Sequence, residues 1–248
     1  MNIGMYQSAA SLSALERWQD TVAQNITSSQ VTGFRKRTIN FSTQTAGEIH
    51  SDPRKSGRDA GSPMLFPKVN SGINFVSGET QPTRRELDVA IQGDGFFEMQ
   101  RPDGTRAFSR NGEFGVRSDR TLVTAGGDEV MSSGGAPITF LPGGGTIAIN
   151  LDGTVFQGET QIGKLSVQRF ADNSRLIPSA GGYFVPSPGM QPEAISEPQL
   201  LQGYLEGSNV TPLREMVDLV LIARAYEANQ KMITTLDQQM EKALQALG

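Results

Sequence analysis

The chain contains no cysteine. Disulfides, thiolate metal sites and a cysteine nucleophile are therefore excluded. It contains one histidine, His50, in a polar stretch. A His-x-x-His zinc site is impossible, and a Ser-His-Asp triad would have to recruit His50, although no Gly-x-Ser-x-Gly precedes a helical stretch. A lone histidine in such a loop reads as a solvated side chain. No apolar run approaches the roughly 18 residues of a membrane span. The longest in the C-terminal helical stretch covers 219–223. Basic charge is also short: 22 Lys+Arg against 26 Asp+Glu give a formal net charge of −4, which argues against nucleic acid as a partner. The start, MNIGMYQSAASLSALERWQD, lacks a basic n-region, a continuous apolar core and a small-residue cleavage site, so no cleaved signal peptide is expected.

Glycine is plentiful, with 28 residues, and 13 prolines accompany it, so many turns are expected in 248 residues. Three regions follow. In the first, Met5, Ser8, Leu12, Leu15, Gln19, Val22 and Ile26 recur at alternating steps of three and four, a heptad seam on a helix over 1–29. It should end near Ser28, with Gly33 as terminator and Phe34 packing back on the last turn. Residues 30–84 are expected to form an extended, loop-like connector with short strands, since 42–82 is rich in Ser, Thr, Gly, Pro and Gln.

From Leu87 the pattern changes to short strands separated by turns. Leu87, Val89 and Ile91 alternate with Asp88, Ala90 and Gln92, which predicts a half-buried strand. Phe96-Phe97-Glu98-Met99 begins the next, and Pro102-Asp103-Gly104 makes a turn. The same style continues to Phe170, which predicts a β-rich domain over 85–200, a sandwich or barrel. A helix then fills most of 201–248, with Thr211 as N-cap and Pro212 at its first position. Leu219, Ile222, Tyr226, Asn229, Ile233, Leu236, Met240, Ala243 and Leu247 form its heptad seam. Asn229 on that seam either sets register against a partner or faces solvent where the seam bends away.

The predicted fold is thus mainly β with long terminal α-helices paired as a coiled coil and a β-rich domain inserted between them. Such helices need packing to be stable in water. Leu213, Met216, Val217, Val220 and Leu221 lie off the seam, so a second apolar stripe is left for the β domain or for other copies of the chain.

Chemistry-bearing motifs are weak. Gly93-Asp94-Gly95 and Gly143-Gly144-Gly145 never continue to Gly-Lys-Ser/Thr and read as turns. Asn150-Leu151-Asp152-Gly153 begins like a calcium loop but lacks the later acidic ligand. No cofactor, metal or catalytic residue is expected. Asp88, Asp94 and Glu98 are the carboxylates a glycoside-cleaving alternative would need. Phe34-Arg35-Lys36-Arg37 and Arg84-Arg85 read as solvated or ion-paired basic faces, with contact to an anionic cell-wall polymer as the competing reading. The sequons at Asn25 and Asn209 are read as chance.

Three stretches resemble the rod and hook proteins of the bacterial flagellar axial structure. The first is Asn25-Ile26 with Thr32-Gly33-Phe34-Arg35. The second is Leu87 to Phe97, with Phe108-Ser109-Arg110-Asn111-Gly112 and Leu122-Val123-Thr124. The third is Gln202 to Val210, with Arg224-Ala225-Tyr226-Glu227-Ala228-Asn229-Gln230-Lys231. The family usually reads Asn-Leu-Ala-Asn-x-Asn-Thr-Pro-Gly-Phe at the first; here Ser28, Gln30 and Thr32 depart from it. Within the family the stretch 205–212 is most similar to the proximal-rod branch, with the distal-rod branch as the alternative. The resemblance implies a non-enzymatic subunit that passes the flagellar type III export apparatus. It would polymerise with copies of itself and other rod proteins in the periplasm, close to peptidoglycan. The terminal helices would form the inner layer and the β domain would face outward. The assembly residues implied are Met5, Leu12, Leu15, Val22, Asn25, Ile26, Gly33 and Phe34 with Met216, Val217, Leu219, Val220, Ile222, Tyr226, Asn229, Ile233, Leu236, Met240 and Leu247.

Overall fold

A computed structural model describes residues 3–49 and 62–246. His50, Leu247 and Gly248 lie outside the described residues. The chain begins with a helix, α1 (Ile3–Thr27), followed by strands β1 (Arg37–Ile49) and β2 (Ser62–Ile73). A run of short strands follows: β3 (Thr80–Pro82), β4 (Val89–Gln92), β5 (Phe96–Gln100), β6 (Arg106–Ser109), β7 (Phe114–Val116), β8 (Leu122–Thr124) and β9 (Glu129–Val130). It continues with β10 (Ile147–Ile149), β11 (Thr154–Gln157), β12 (Thr160–Lys164), β13 (Val167–Arg169), β14 (Leu176–Pro178) and β15 (Phe184–Pro186). Strands β16 (Glu193–Ala194), β17 (Gln199–Gln202) and β18 (Tyr204–Glu206) precede the last helix, α2 (Pro212–Gln245). The protein is therefore mainly β between two terminal helices.

The chain divides into two compact units. One gathers 1–27, 37–72 and 211–248; the other gathers 28–36 and 73–210. In the helical unit, α1 and α2 share a buried cluster of Leu15, Val22 and Ile222, lined by Trp18, Ile26, Leu219 and Ala225. Asn25, near the end of α1, bonds Glu215 in the first turn of α2. The cluster also includes Leu15, ten residues back on α1, and Ala225, ten residues on along α2, so the helices run antiparallel. Thr211 is the backbone N-cap of α2 and Pro212 opens it, although the Thr211 side chain makes no capping bond. Its carbonyl accepts from the N–H groups of Arg214 and Glu215.

The connector departs from the short strands expected over 42–82. Strands β1 and β2 have 13 and 12 residues and pair with each other as a ribbon. The Thr- and β-branched-rich stretch 38–45 supplies strand propensity that its polarity disguises.

In the β unit every strand pairing is antiparallel. The largest sheet runs β14-β15-β6-β5-β9-β8-β7, with β13 bonded to β5 and β16. Successive residues of β5 point to opposite faces. Phe97 and Met99 enter a cluster with Leu122, Ile138, Leu165 and Leu200. Phe96 enters a second with Phe108, Phe170, Leu176 and Phe184, whose rings meet edge-on or tilted. Both faces are covered, which is why Phe96 and Phe97 stand side by side and even Glu98 is buried. The same holds for β4: Val89, Ala90 and Ile91 are all buried, against the half-buried alternation expected. Its pairing with β17 places it inside the unit.

One turn design recurs five times, at 101–105, 117–121, 124–128, 132–136 and 150–154. The first N–H donates to the fifth carbonyl, and the fourth N–H donates to the first carbonyl. The fourth residue has positive φ: Gly104, Arg120, Gly127, Gly135 and Gly153 lie between 68° and 87°. Glycine takes this conformation without strain, and Arg120 is the exception among the five. In three of the turns an aspartate fixes the loop. Asp103, Asp119 and Asp152 accept from the N–H of Thr105, Thr121 and Thr154.

Candidate functional site

Within the β unit, three stretches far apart in sequence meet at one buried carboxylate. Glu206 ends β18 and is 1% exposed. Its Oε1 forms an ion pair with Arg35 Nη2 at 2.7 Å and accepts from the Gly78 N–H at 2.9 Å. Its Oε2 accepts from Arg110 Nε at 2.8 Å. Arg110 is also wrapped by carbonyls, donating to Gly95 at 2.7 Å, Gly93 at 2.8 Å and Ile91 at 3.3 Å. Gly93 and Gly95 both have positive φ, so the Gly93-Asp94-Gly95 turn serves to aim carbonyls at a guanidinium. Burial pushes the Arg110 pKa down, and Glu206 opposes that. Arg35, read above as part of a solvated or ion-paired basic face, is 3% exposed and ion-paired inside the unit.

The backbone around this knot has no room for side chains. The Gly33 N–H donates to the Glu206 carbonyl at 2.7 Å. A Cβ on Gly33 would lie 2.5 Å from the Asn111 nitrogen, and φ there is +69°. Gly33 is thus needed for close approach, six residues past the helix end it was expected to form. Asn209 secures the next layer. Its Oδ1 accepts from the Lys36 N–H at 2.6 Å, and its Nδ2 donates to the Asn74 and Val76 carbonyls at 2.9 and 2.7 Å.

In the helical unit Asn25 has the parallel role. Its Oδ1 accepts from the Arg37 N–H and its Nδ2 donates to the Arg37 carbonyl, both at 2.9 Å. The same Nδ2 lies 2.9 Å from Glu215 Oε2. Both Asn25 and Glu215 are 1% exposed. A carboxylate at a helix N-terminus also complements the helix dipole.

Of the expected seam residues, Leu15, Val22 and Ile222 are buried together, with Ile26 and Leu219 against them. Met5, Leu12, Asn229, Ile233 and Leu236 are half-buried, and Tyr226 and Met240 are exposed. Asn229 donates to the Ala225 carbonyl of its own helix at 3.0 Å. The off-seam stripe is solvent-facing: Leu213, Met216, Val217, Val220 and Leu221 are each more than half exposed. Gly33 and Phe34 are buried in the β unit.

The carboxylates of the glycosidase alternative are separately engaged. Asp88 accepts from Arg85 Nε at 2.9 Å and Nη2 at 2.7 Å. Glu98 accepts from Arg106, Ser166 and Gln168. Asp94 is exposed. Asp152, in the calcium-like stretch, accepts from Thr154 through both backbone and hydroxyl. Among the described residues no group of three or more acidic or imidazole side chains could hold a metal ion, and no helix is long and apolar enough to cross a membrane.

Arg110, Glu206 and Glu215 were not singled out by sequence reasoning as site residues. Arg110 and Glu206 sit inside the stretches that carry the resemblance, and those stretches are the ones that meet here.

Comparison with known proteins agrees with this convergence. Residues 90–157 match the model described as the flagellar hook protein FlgE/F/G D1 domain. Residues 201–246 match the model for the C-terminal part of flagellar basal body rod FlgEFG proteins. The chain is 32% identical to the flagellar basal-body rod protein FlgF of Caulobacter vibrioides, over 100% of this chain and 99% of the relative. It is also 32% identical to FlgF of Rhizobium meliloti, with the same coverage. It is 30% identical to the basal-body rod protein FlgG of Borreliella burgdorferi, over 94% of each chain. The chain with the Arg35–Glu206–Arg110 knot and the two terminal helices belongs to the flagellar basal-body rod protein family.

Proposed function

We propose that this protein is a structural, non-enzymatic subunit of the proximal flagellar rod. It polymerises through its terminal helices, paired as a coiled coil, into the periplasmic shaft that transmits torque to the hook. The observation that carries this is the solvent-facing stripe Leu213, Met216, Val217, Val220 and Leu221 on α2, beside a seam already buried against α1. A helix apolar on two sides has one side left over for a neighbouring subunit. Full-length coverage of the FlgF relatives favours the proximal position. The 30% identity to a FlgG protein supports the distal rod as the second reading. On this reading the parts are a helix over 1–29, a connector over 30–84 that bridges neighbours, a β domain over 85–200 facing outward, and a helical segment over 201–248. The partners are other copies and other rod proteins, reached after passage through the flagellar type III export apparatus, next to peptidoglycan.

The test is complementation of a non-motile deletion strain with a Val217→Asp, Val220→Asp double variant. Secreted, β-folded protein that is missing from purified basal bodies is the expected result. Normal incorporation and motility would refute the stripe as the assembly surface. Locating the wild-type protein in images of the basal body separates proximal from distal.

A further inference from the structure

The two edges of the β1–β2 ribbon are not equivalent. A Cβ on Gly72 would lie 3.0 Å from Thr38 Oγ1, and Ser42 Oγ donates to the Lys68 carbonyl at 3.4 Å, so the strands run antiparallel with even-numbered residues facing even. In such a ladder a residue's N–H and C=O point to the same side, and the side alternates along the strand. The odd-numbered residues are the ones that direct their backbone groups outward on both strands. Three observations agree. Arg37 gives both its N–H and its C=O to Asn25. The Leu65 carbonyl accepts from Gln7 Nε2 at 3.1 Å. Both prolines of β2, Pro63 and Pro67, occupy outward positions where no ladder donor is needed.

The outer edge of β2 is thus blunted by two missing donors, by Gln7 and by the neighbouring Lys68. These are devices that prevent strands from adding to an edge. Beyond Arg37, which Asn25 caps, the outer edge of β1 has none of them over 38–45. Residues 38–47 contain neither charge nor proline. Ile39, Phe41, Thr43 and Thr45 point their backbone groups outward, residues 40–45 are exposed, and β2 is the one strand paired with β1 among the described residues. Asn25 shows what this edge accepts, because its amide imitates one rung of a strand partner at Arg37.

We propose that the outer edge of β1 pairs antiparallel with β1 of a second copy of this chain in solution, across a two-fold axis at Ser42. β1 supplies its own best complement. About Ser42, the outward set maps onto itself, Ile39 opposite Thr45 and Phe41 opposite Thr43, with about eight hydrogen bonds, two for each hydrogen-bonded pair. The even positions set Asn40 opposite Gln44 and Ser42 opposite Ser42. Over 39–45 no like charges oppose each other. A same-edge pair closes on itself, so it stops at two copies and is distinct from any helical array. It uses the ribbon and leaves the apolar stripe of α2 untouched, so its failure and the failure of the rod assignment are separable.

The absence of native cysteine makes the test clean. At a non-hydrogen-bonded antiparallel pair the facing Cα atoms are about 4.5 Å apart, within disulfide reach. The full chain with Ser42→Cys, oxidised at tens of micromolar, is expected to form a covalent dimer nearly completely, while Thr45→Cys forms little. Wild type should sediment as a dimer, and Thr43→Pro as a monomer with unchanged circular dichroism. The Val217→Asp, Val220→Asp variant should remain dimeric. A monomeric wild type at that concentration overturns the proposal, as does a dimer that survives Thr43→Pro or cross-links equally at both cysteine positions.

Discussion

Replacing Glu206 by glutamine is the sharpest perturbation of the motif junction. The amide has the shape of the carboxylate but no charge, and one of its ends donates. Glu206 now accepts hydrogen bonds from the Gly78 N–H at 2.9 Å and Arg110 at 2.8 Å and forms an ion pair with Arg35 at 2.7 Å. After the change two guanidiniums, each 2% exposed at the side chain, remain buried without their anion. Arginine does not deprotonate under these conditions, so the charges cannot be shed. Breaking a buried pair by removing one partner destabilises by about 3–5 kcal/mol. For a unit of this size each kcal/mol lowers the melting temperature by about 2–4 °C, so Glu206→Gln should lose roughly 6–20 °C in a thermal melt of the full chain. A double variant sharpens the assignment. Arg35 Nε and Nη1 have no hydrogen-bond partner among the described residues, so Arg35→Met forfeits little besides its ion pair with Glu206. In the Glu206→Gln background Arg35→Met should therefore restore part of the lost stability, although alone it destabilises. A cost below about 1 kcal/mol for Glu206→Gln, or strict additivity of the two changes, would refute the buried-charge account.

Arg120→Gly should raise stability by about 0.5–1 kcal/mol, because relief of a left-handed non-glycine residue outweighs the added freedom of the unfolded chain. Gly153→Ala, at the equivalent turn position with Leu200 Cδ1 only 3.2 Å from the new Cβ, should lower it; urea melts of both compare them directly. Asn25→Ala should cost about 1–3 kcal/mol and speed amide exchange at Arg37, since that N–H loses its acceptor. Acid should weaken the β unit. Hydrogen bonds from Thr105, Arg117, Thr154 and Ser174 hold Asp103, Asp119, Asp152 and Asp172 below the ordinary 3.8. A depressed carboxylate contributes stability that is fully present above its unfolded pKa and lost as pH falls through its folded one. Melting temperature should accordingly hold from neutral pH to about 4 and drop below it, and Asp119→Asn should flatten part of that drop.

The helices were legible because their periodicity is local: the seam residues Leu15, Val22, Leu219 and Ile222 fall where the 3–4 spacing put them. So was the surplus stripe of α2, which needs only a helical wheel. The ribbon was hidden, because its apolar alternation stops after Ile39 and Phe41; beyond them β1 carries Ser42 and Gln44 on one face and Thr43 and Thr45 on the other. The ion pair expected for Arg35 is present, but its burial was missed for a related reason. Its neighbours Lys36 and Arg37 made a basic run, and its partner lies 171 positions away in a stretch with no acidic cluster to announce it. Gly33 resembled a helix terminator, but the demand on it comes from Asn111, which no local pattern contains.

The five repeated turns have a kinetic consequence. Each closes between residues four apart, so each hairpin can form on its own in microseconds. The knot at Glu206 instead joins Arg110 across 96 positions, and contacts of that span set the slow step of folding. A chain delivered from its N-terminus would thus acquire its turns one by one, while Arg35 and Arg110 stay hydrated and unpaired. The β unit would lock only once Glu206 arrives, just ahead of α2, so the part that commits the fold emerges after every one of the repeated turns.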